Sequence, residues 1–103
     1  MLLLNINYVP DKKIEALGLV KGNVVQSSHL GKDLMSGLKT VVGGEIAGYT
    51  EMLNQARQIA MKRMVDEAEA LGADAVINIR YASASVMSGA AEVIAYGTAV
   101  KIL

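Results

Sequence analysis

The chain has 103 residues, of which 52% are hydrophobic and 19% charged, and its ten Lys and Arg are matched by ten Asp and Glu. That length fits one domain, and the charge balance offers no basic excess to draw the chain to nucleic acid or acidic lipid. The absence of cysteine removes disulfides, thiolate metal sites and thiol nucleophiles, and it fits a cytoplasmic protein.

The mean hydropathy of +0.35 is high for so small a chain. No apolar run approaches the roughly 18 residues of a membrane helix. Met1–Leu4 is apolar but has neither a basic leader nor a cleavage-site pattern, so no signal peptide is expected there. The apolar surplus therefore predicts burial against another subunit, because obligate interfaces resemble a core cut in half.

In chain order, Leu2–Val9 alternates, with Leu2, Leu4, Ile6 and Tyr8 on one side, the period of a half-buried strand. Pro10 and Asp11 signal a turn, and residues 11–18 read as a short polar connector. Leu19–Ser28 reads as a second strand, in which Gly22 marks a bulge or a close backbone approach. The period changes to helical over Ser27–Val42, where Leu30, Leu34, Leu38 and Val41 form a stripe and Ser27 or Ser28 can cap the start.

Glu45–Gly72 carries the clearest pattern, a long helix with Tyr49, Met52, Leu53, Ala56, Ile59, Ala60, Met64, Ala68 and Leu71 on one face. Arg63 and Glu67, and Lys62 and Asp66, stand at pairing distance four residues apart. Ile46, Met61 and Val65 form a second, partly apolar face, which suits a helix touching two neighbours, and Gly72 is a stop signal. Asp74–Ala82 reads as a third strand with Ile77, Ile79 and Tyr81 on one face, Ser83–Ala91 as a loop, and Glu92–Leu103 as the last strand. On that strand Val93, Ala95, Gly97 and Ala99 make a small-residue face suited to close packing.

The block Leu34–Ile79 and the closing segment Tyr96–Ile102 carry a resemblance through Gly43-Gly44, Tyr49 followed by Ala56-Arg57, the run Leu71–Val76, and Gly97–Val100. The opening Gly18–Gly22 fits the same pattern. In that order and spacing, across nearly the whole chain, the sequence resembles the YbjQ-like family, small proteins of unknown function that carry a heavy-metal-binding label. The resemblance implies an α+β, dodecin-like subunit, a two-layer sandwich of a small, mostly antiparallel sheet on one long helix plus a short helix. It also implies a homopentameric ring, in agreement with the apolar surplus.

Site candidates are few. Soft metals want thiolate, thioether or imidazole, and the chain offers a single histidine, His29, with Asp33 one helical turn on. Two ligands fall short of the four in a structural zinc site, so a metal ion would need His29 and Asp33 completed by symmetry in a ring. No metal or organic cofactor is otherwise expected. Met52, Met61 and Met64 read as packing residues. Ser27, Ser28, His29 and Asp33 hold the residue types of a hydrolase triad, but adjacent residues rarely point at one another and capping explains the serines better.

Arg57 reads first as an intersubunit salt bridge, with Glu51 or Asp74, and second as an anion grip. Arg80 is a weaker candidate for the same roles. Gly43, Gly44 and Gly48 are spaced as neither phosphate-loop fingerprint. They read as a stop for the first helix and a point of close approach near the start of the second, whose N-terminus still offers N–H groups to an anion. Together with Tyr49 they are ligand or interface candidates.

Two classes of function remain. One is a non-enzymatic oligomeric binding or scaffold protein holding a small ligand between subunits. The other is a small enzyme whose site spans the interface and uses His29 with Glu45 or Arg57. Flavin storage, as in dodecins, lacks the favoured Trp, and Tyr8, Tyr49, Tyr81 or Tyr96 would have to replace it.

Overall fold

The computed structural model describes residues 1–27, 41–42 and 45–103. Its elements are β1 (Leu2–Leu3), β2 (Ile14–Ser27), β3 (Val41–Val42), β4 (Glu45–Ile46), α1 (Ala47–Ala70), β5 (Ala75–Met87) and β6 (Ala90–Ile102). Four strands form one mixed sheet in the order β1-β5-β6-β2; β1 runs parallel to β5 and the other pairs are antiparallel. The helix lies on one face of this sheet, so the fold is the two-layer α+β sandwich expected. Most of the expected short helix falls on residues 28–40, outside the described residues. Its two described ends are extended: Ser27 closes β2, and Val41–Val42 pairs with Glu45–Ile46 in a separate two-stranded sheet. Valine and isoleucine favour that extended backbone over a helix end.

The core between helix and sheet is built of small residues. Met52, Ala56, Ala60, Met64 and Ala68 recur every fourth position and are all buried, as one row of an α-helix must be when it faces a sheet. Opposite them stand Val20, Val24, Val93, Ala95 and Ala99. Gly22 sits under this row, where a Cβ would run into the backbone oxygen of Ala60, the backbone nitrogen of Met64 and the Cβ of Arg63. The close approach read from the sequence at Gly22 is therefore a helix backbone resting on a strand backbone. The β-bulge lies elsewhere, at the register shift between Ala16 and Gly18.

The helix ends at a Schellman motif. Gly72 adopts φ +77°, its N–H donates to Glu69 O at 2.9 Å, and Ala73 N–H donates to Ala68 O at 3.1 Å. Leu71, expected on the core face, is left outside by this turn and is exposed.

A second, smaller cluster lies on the other face of the sheet, where Val9 packs with Ala75, Ile77 and Val100, backed by Leu4, Ile14 and Ile102. The N-terminal strand that covers it is shorter than expected. Regular pairing stops at Leu3, although Leu4 N–H still donates to Val76 O at 2.9 Å and Leu4 O accepts Ile79 N–H at 3.1 Å. The cause is a bulge in β5 at Asn78, whose φ is +54°. Asparagine tolerates that left-handed conformation better than most residues. The bulge also exchanges faces: Val76 and Ile79 both pack against the helix, whereas Ile77 points the other way. Ile6 and Tyr8, expected on the covered side, are exposed.

Three further boundaries differ. Residues 14–18 belong to β2, because the chain leaves its turn at Pro10 and Asp11 (φ +60°; Lys12 N–H to Val9 O, 3.2 Å) directly into the ladder with β6. Ser83–Met87 and Ala90–Ala91 are strand, joined by Ser88 and Gly89, and Gly89 takes φ +76° at the turn. Small side chains there suggested a loop; cross-strand backbone bonding to β6 overrides that composition.

Gly22→Ala should cost about 3 kcal/mol, the top of the usual range for overpacking, because backbone atoms and not a flexible side chain occupy the space. Urea denaturation of the two proteins measures it, and a midpoint equal to that of the parent would show that the helix can lift from β2.

Candidate functional site

The site candidates that can be placed divide between the helix and one strand. Gly43, Gly44, His29 and Asp33 lie outside the described residues. Gly48 is exposed in the first turn of α1, and Tyr49 beside it is half-buried. Tyr49 begins a second row on the helix, followed every fourth residue by Leu53, Arg57, Met61 and Val65, all half-buried. This row flanks the core row. Leu53, Met61 and Val65 lean on the core and are partly buried, which is the second partly apolar face expected of Met61 and Val65. Arg57 carries the row's one charge. Its Nη1 donates to Asn54 Oδ1 at 2.9 Å, a neutral partner.

Asp74, named as a partner for Arg57, is already committed inside its own subunit. Its Oδ2 accepts Ile102 N–H at 2.8 Å, and its Oδ1 lies 3.6 Å from Lys101 Nζ, which also donates to Gly72 O at 3.2 Å. These contacts fasten the end of the helix to the end of β6. Arg80 is likewise engaged locally: its Nη1 donates to Asn5 O at 2.9 Å and to Ile79 O at 3.0 Å, pinning the N-terminal segment beside the β5 bulge. Arg57 and Arg80 thus serve different elements, the helix flank and the sheet rim.

Of the two expected helical ion pairs, Lys62–Asp66 forms at 3.1 Å with both side chains largely exposed, where such a pair is worth a few tenths of a kcal/mol. Arg63 and Glu67 do not bind each other. Arg63 Nη1 donates to Asn23 O at 2.7 Å, and Glu67 Oε1 accepts Lys21 N–H at 3.3 Å. Both reach the outer edge of β2. Their spacing of four residues made them look like a self-contained pair, and no local signal shows that a strand edge lies within reach.

Among the described residues no three His, Asp or Glu gather as a metal site, and no polar or charged residue is buried. No described helix is long and apolar enough to cross a membrane. What the surface does offer is apolar. On the face away from the helix, beyond the N-terminal segment, Leu19 is 71% exposed and Val25 61%, with Lys21, its cross-strand neighbour Tyr96 and Asn23 between them; on the hairpin arm, Tyr81, Val86 and Met87 are open to solvent.

The chain is thus a small two-layer α+β domain that leaves large apolar side chains exposed. A family model described as "Putative heavy-metal-binding", of the YbjQ type, matches residues 1–103. The chain belongs to that family. It is 62% identical over 103 residues to a UPF0145 protein of Clostridium novyi, covering 100% of both chains. It is 59% identical to a UPF0145 protein of Alkaliphilus metalliredigens, again over 100% of both. Against a UPF0145 protein of Thermotoga maritima it is 58% identical, covering 99% of this chain and 97% of the other. Among solved structures, a protein of unknown function of the DUF74 family from Pediococcus pentosaceus superposes with a TM-score of 0.66 at 15% identity, covering 100% of this chain and 98% of that one. That likeness shows the fold.

Asp74→Ala should lower stability by about 1–2 kcal/mol, since it strands the Ile102 N–H and frees the end of β6. Arg57→Ala, which removes a contact to the neutral Asn54, should change the same urea midpoint by no more than about 0.5 kcal/mol.

Proposed function

We propose that the protein is a homo-oligomer, a cytoplasmic ring of five subunits, that acts without catalysis as a scaffold or holds a small ligand in clefts between subunits. One observation carries this reading: among the described residues, the sheet face turned away from the helix is covered only toward the chain ends, and its open part carries the exposed Leu19, Tyr96 and Val25, with Lys21 and Asn23 between them. Large apolar side chains left open on a small chain mark an interaction site, and the chain's own copies are always present to cover them. The flanking row of α1 adds to it, because Leu53, Met61 and Val65 with Arg57 provide an apolar ridge bearing one cation whose partner among the described residues is an asparagine. Such a guanidinium suits a carboxylate of the next subunit or an anionic ligand. Gly48 and Tyr49 stand at the start of the same helix, and Arg80 offers a second cation on the sheet rim.

A second reading is favoured by the family description: a soft metal ion held where copies of His29 and Asp33 meet around a symmetry axis.

Light scattering after size exclusion should give the mass of five subunits, and a monomer of 10.9 kDa would sink the oligomer reading. Native mass spectrometry of the parent and of His29→Ala, each offered zinc or copper, separates the two functions. Metal retained by the parent and lost by the variant supports the metal protein; equal behaviour supports the scaffold.

A further inference from the structure

We infer that Lys21, Tyr96 and Arg80 form a binding row for a small dianion, a molecule carrying two carboxylates or a phosphate, on the open face of the sheet. This site rests on the reading of the protein as a holder of a small ligand and gives that ligand its chemistry. The strand register sets the row. Tyr96 on β6 stands opposite Lys21 on β2 and opposite Arg80 on β5. Residues paired across an antiparallel ladder share a face, so the three side chains rise from three neighbouring strands on one side of the sheet. The Cβ position of Gly22 points at the helix, and successive residues of a strand alternate. The row therefore lies on the face away from α1, and all three of its residues are exposed.

Two cations thus flank one tyrosine in a chain with no net charge. The rows on either side, Leu19–Thr98–Ile77 and Asn23–Ile94–Ala82, hold no charge that could offset them. Along the three strands the nearest carboxylate is Glu92, about 13 Å from Tyr96 at the rise of an extended chain. Among the described residues the ion pairs are Lys62–Asp66 and Lys101–Asp74, so neither Lys21 nor Arg80 has an acidic partner there. Glu67 meets Lys21 at its backbone N–H, on the strand edge, and not at its ammonium.

Each residue brings a different donor. Arg80 is ordered before any ligand arrives, because its Nη1 donates to Asn5 O at 2.9 Å and to Ile79 O at 3.0 Å. Those bonds engage one nitrogen and leave the N–H groups of Nη2 and Nε to a ligand, on a guanidinium already fixed in place. Lys21 adds a mobile ammonium that can follow the ligand's shape, and Tyr96 adds a hydroxyl between the two. Two positive charges call for two negative ones: a monoanion leaves one cation unmatched. Leu19, 71% exposed, gives a short apolar body a place to rest beside the row. Lysine and arginine have no lone pair to offer, so the row is distinct in kind from a metal site.

Titration of the isotopically labelled parent with succinate, inorganic phosphate and acetate at low salt, read from its amide resonances, tests the row. Succinate or phosphate should shift Lys21, Tyr96 and Arg80 together and bind at least about tenfold more tightly than acetate; the tighter of the two tells a dicarboxylate ligand from a phosphorylated one. Lys21→Gln, which keeps most of the aliphatic stem, should weaken that dianion at least about tenfold and Tyr96→Phe about threefold, and Lys21→Arg should bind it as the parent does. Three results overturn the site: neither dianion shifts the row, acetate binds as tightly as the dianions, or Lys21→Gln binds them as well as the parent. A Lys21→Gln protein that falls apart into monomers also overturns it, since the row would then serve a carboxylate of the next subunit. Light scattering on the same samples separates the two readings. A monomeric parent that binds a dianion through the row sinks the ring alone, and an oligomer that binds neither dianion sinks this site alone.

Discussion

The contact between Gly22 and the backbone of α1 sets the position of everything else. A helix packed on a sheet through large side chains rides well above it. Here Gly22 and the alanine row at 56, 60 and 68 bring the helix backbone down onto β2. That approach decides which strands the helix covers: β2 and β6 lie beneath it, while the outer part of β5 does not, so Tyr81 stays open although its cross-strand neighbour Ala95 is buried. It also decides what the helix can reach. Arg63, whose Cβ lies against the space above Gly22, and Glu67 one turn further are carried to the rim of β2. A bulkier residue at position 22 would push the helix outward and withdraw both side chains from the strand.

The two faces of the sheet then carry unequal duties. The helix face is closed by small residues and buries no polar side chain among those described. The opposite face is closed by the described residues near the chain ends, where Val9, Ala75, Ile77 and Val100 meet and Asp74 ties the end of α1 to the end of β6. The open remainder mixes Leu19, Val25 and Tyr96 with Lys21 and Asn23, so it offers a partner both apolar area and polar groups.

How much of this could be read from the sequence depends on whether a feature is local. The helix between residues 47 and 70, its stop at Gly72 and the small-residue face of β6 follow from periodicity and glycine placement, which act over a few neighbours. Gly22 gave a correct hint because a glycine in a strand has few uses. The β5 bulge was not legible, since Asn78 is only permissive toward a positive φ and the pairing with β6 and the N-terminal segment selects it. Nor was the hairpin arm at 83–91, where Ser and Ala carry little strand preference and the partner strand supplies the order. Of the candidate site, Arg57 beside an apolar stripe was legible from helical spacing, whereas the destinations of Arg63, Glu67 and Asp74 required knowing which strands lie beside them.

The parallel pairing of β1 with β5 joins Leu2 to Ala75 and Leu3 to Val76. During synthesis the first of these residues leaves the ribosome long before the second exists. The leucines at positions 2 to 4 have no ladder to join until the helix has been made and β5 has followed it. Contacts so far apart in the chain are slow to form, because a large loop must close before they return any energy. The hairpin of β5 and β6, closed by the turn at Ser88 and Gly89, needs no such loop and can form as soon as it emerges. Assembly of the subunit therefore runs from its last strands backward, and the N-terminal segment, made first, is the last piece to settle.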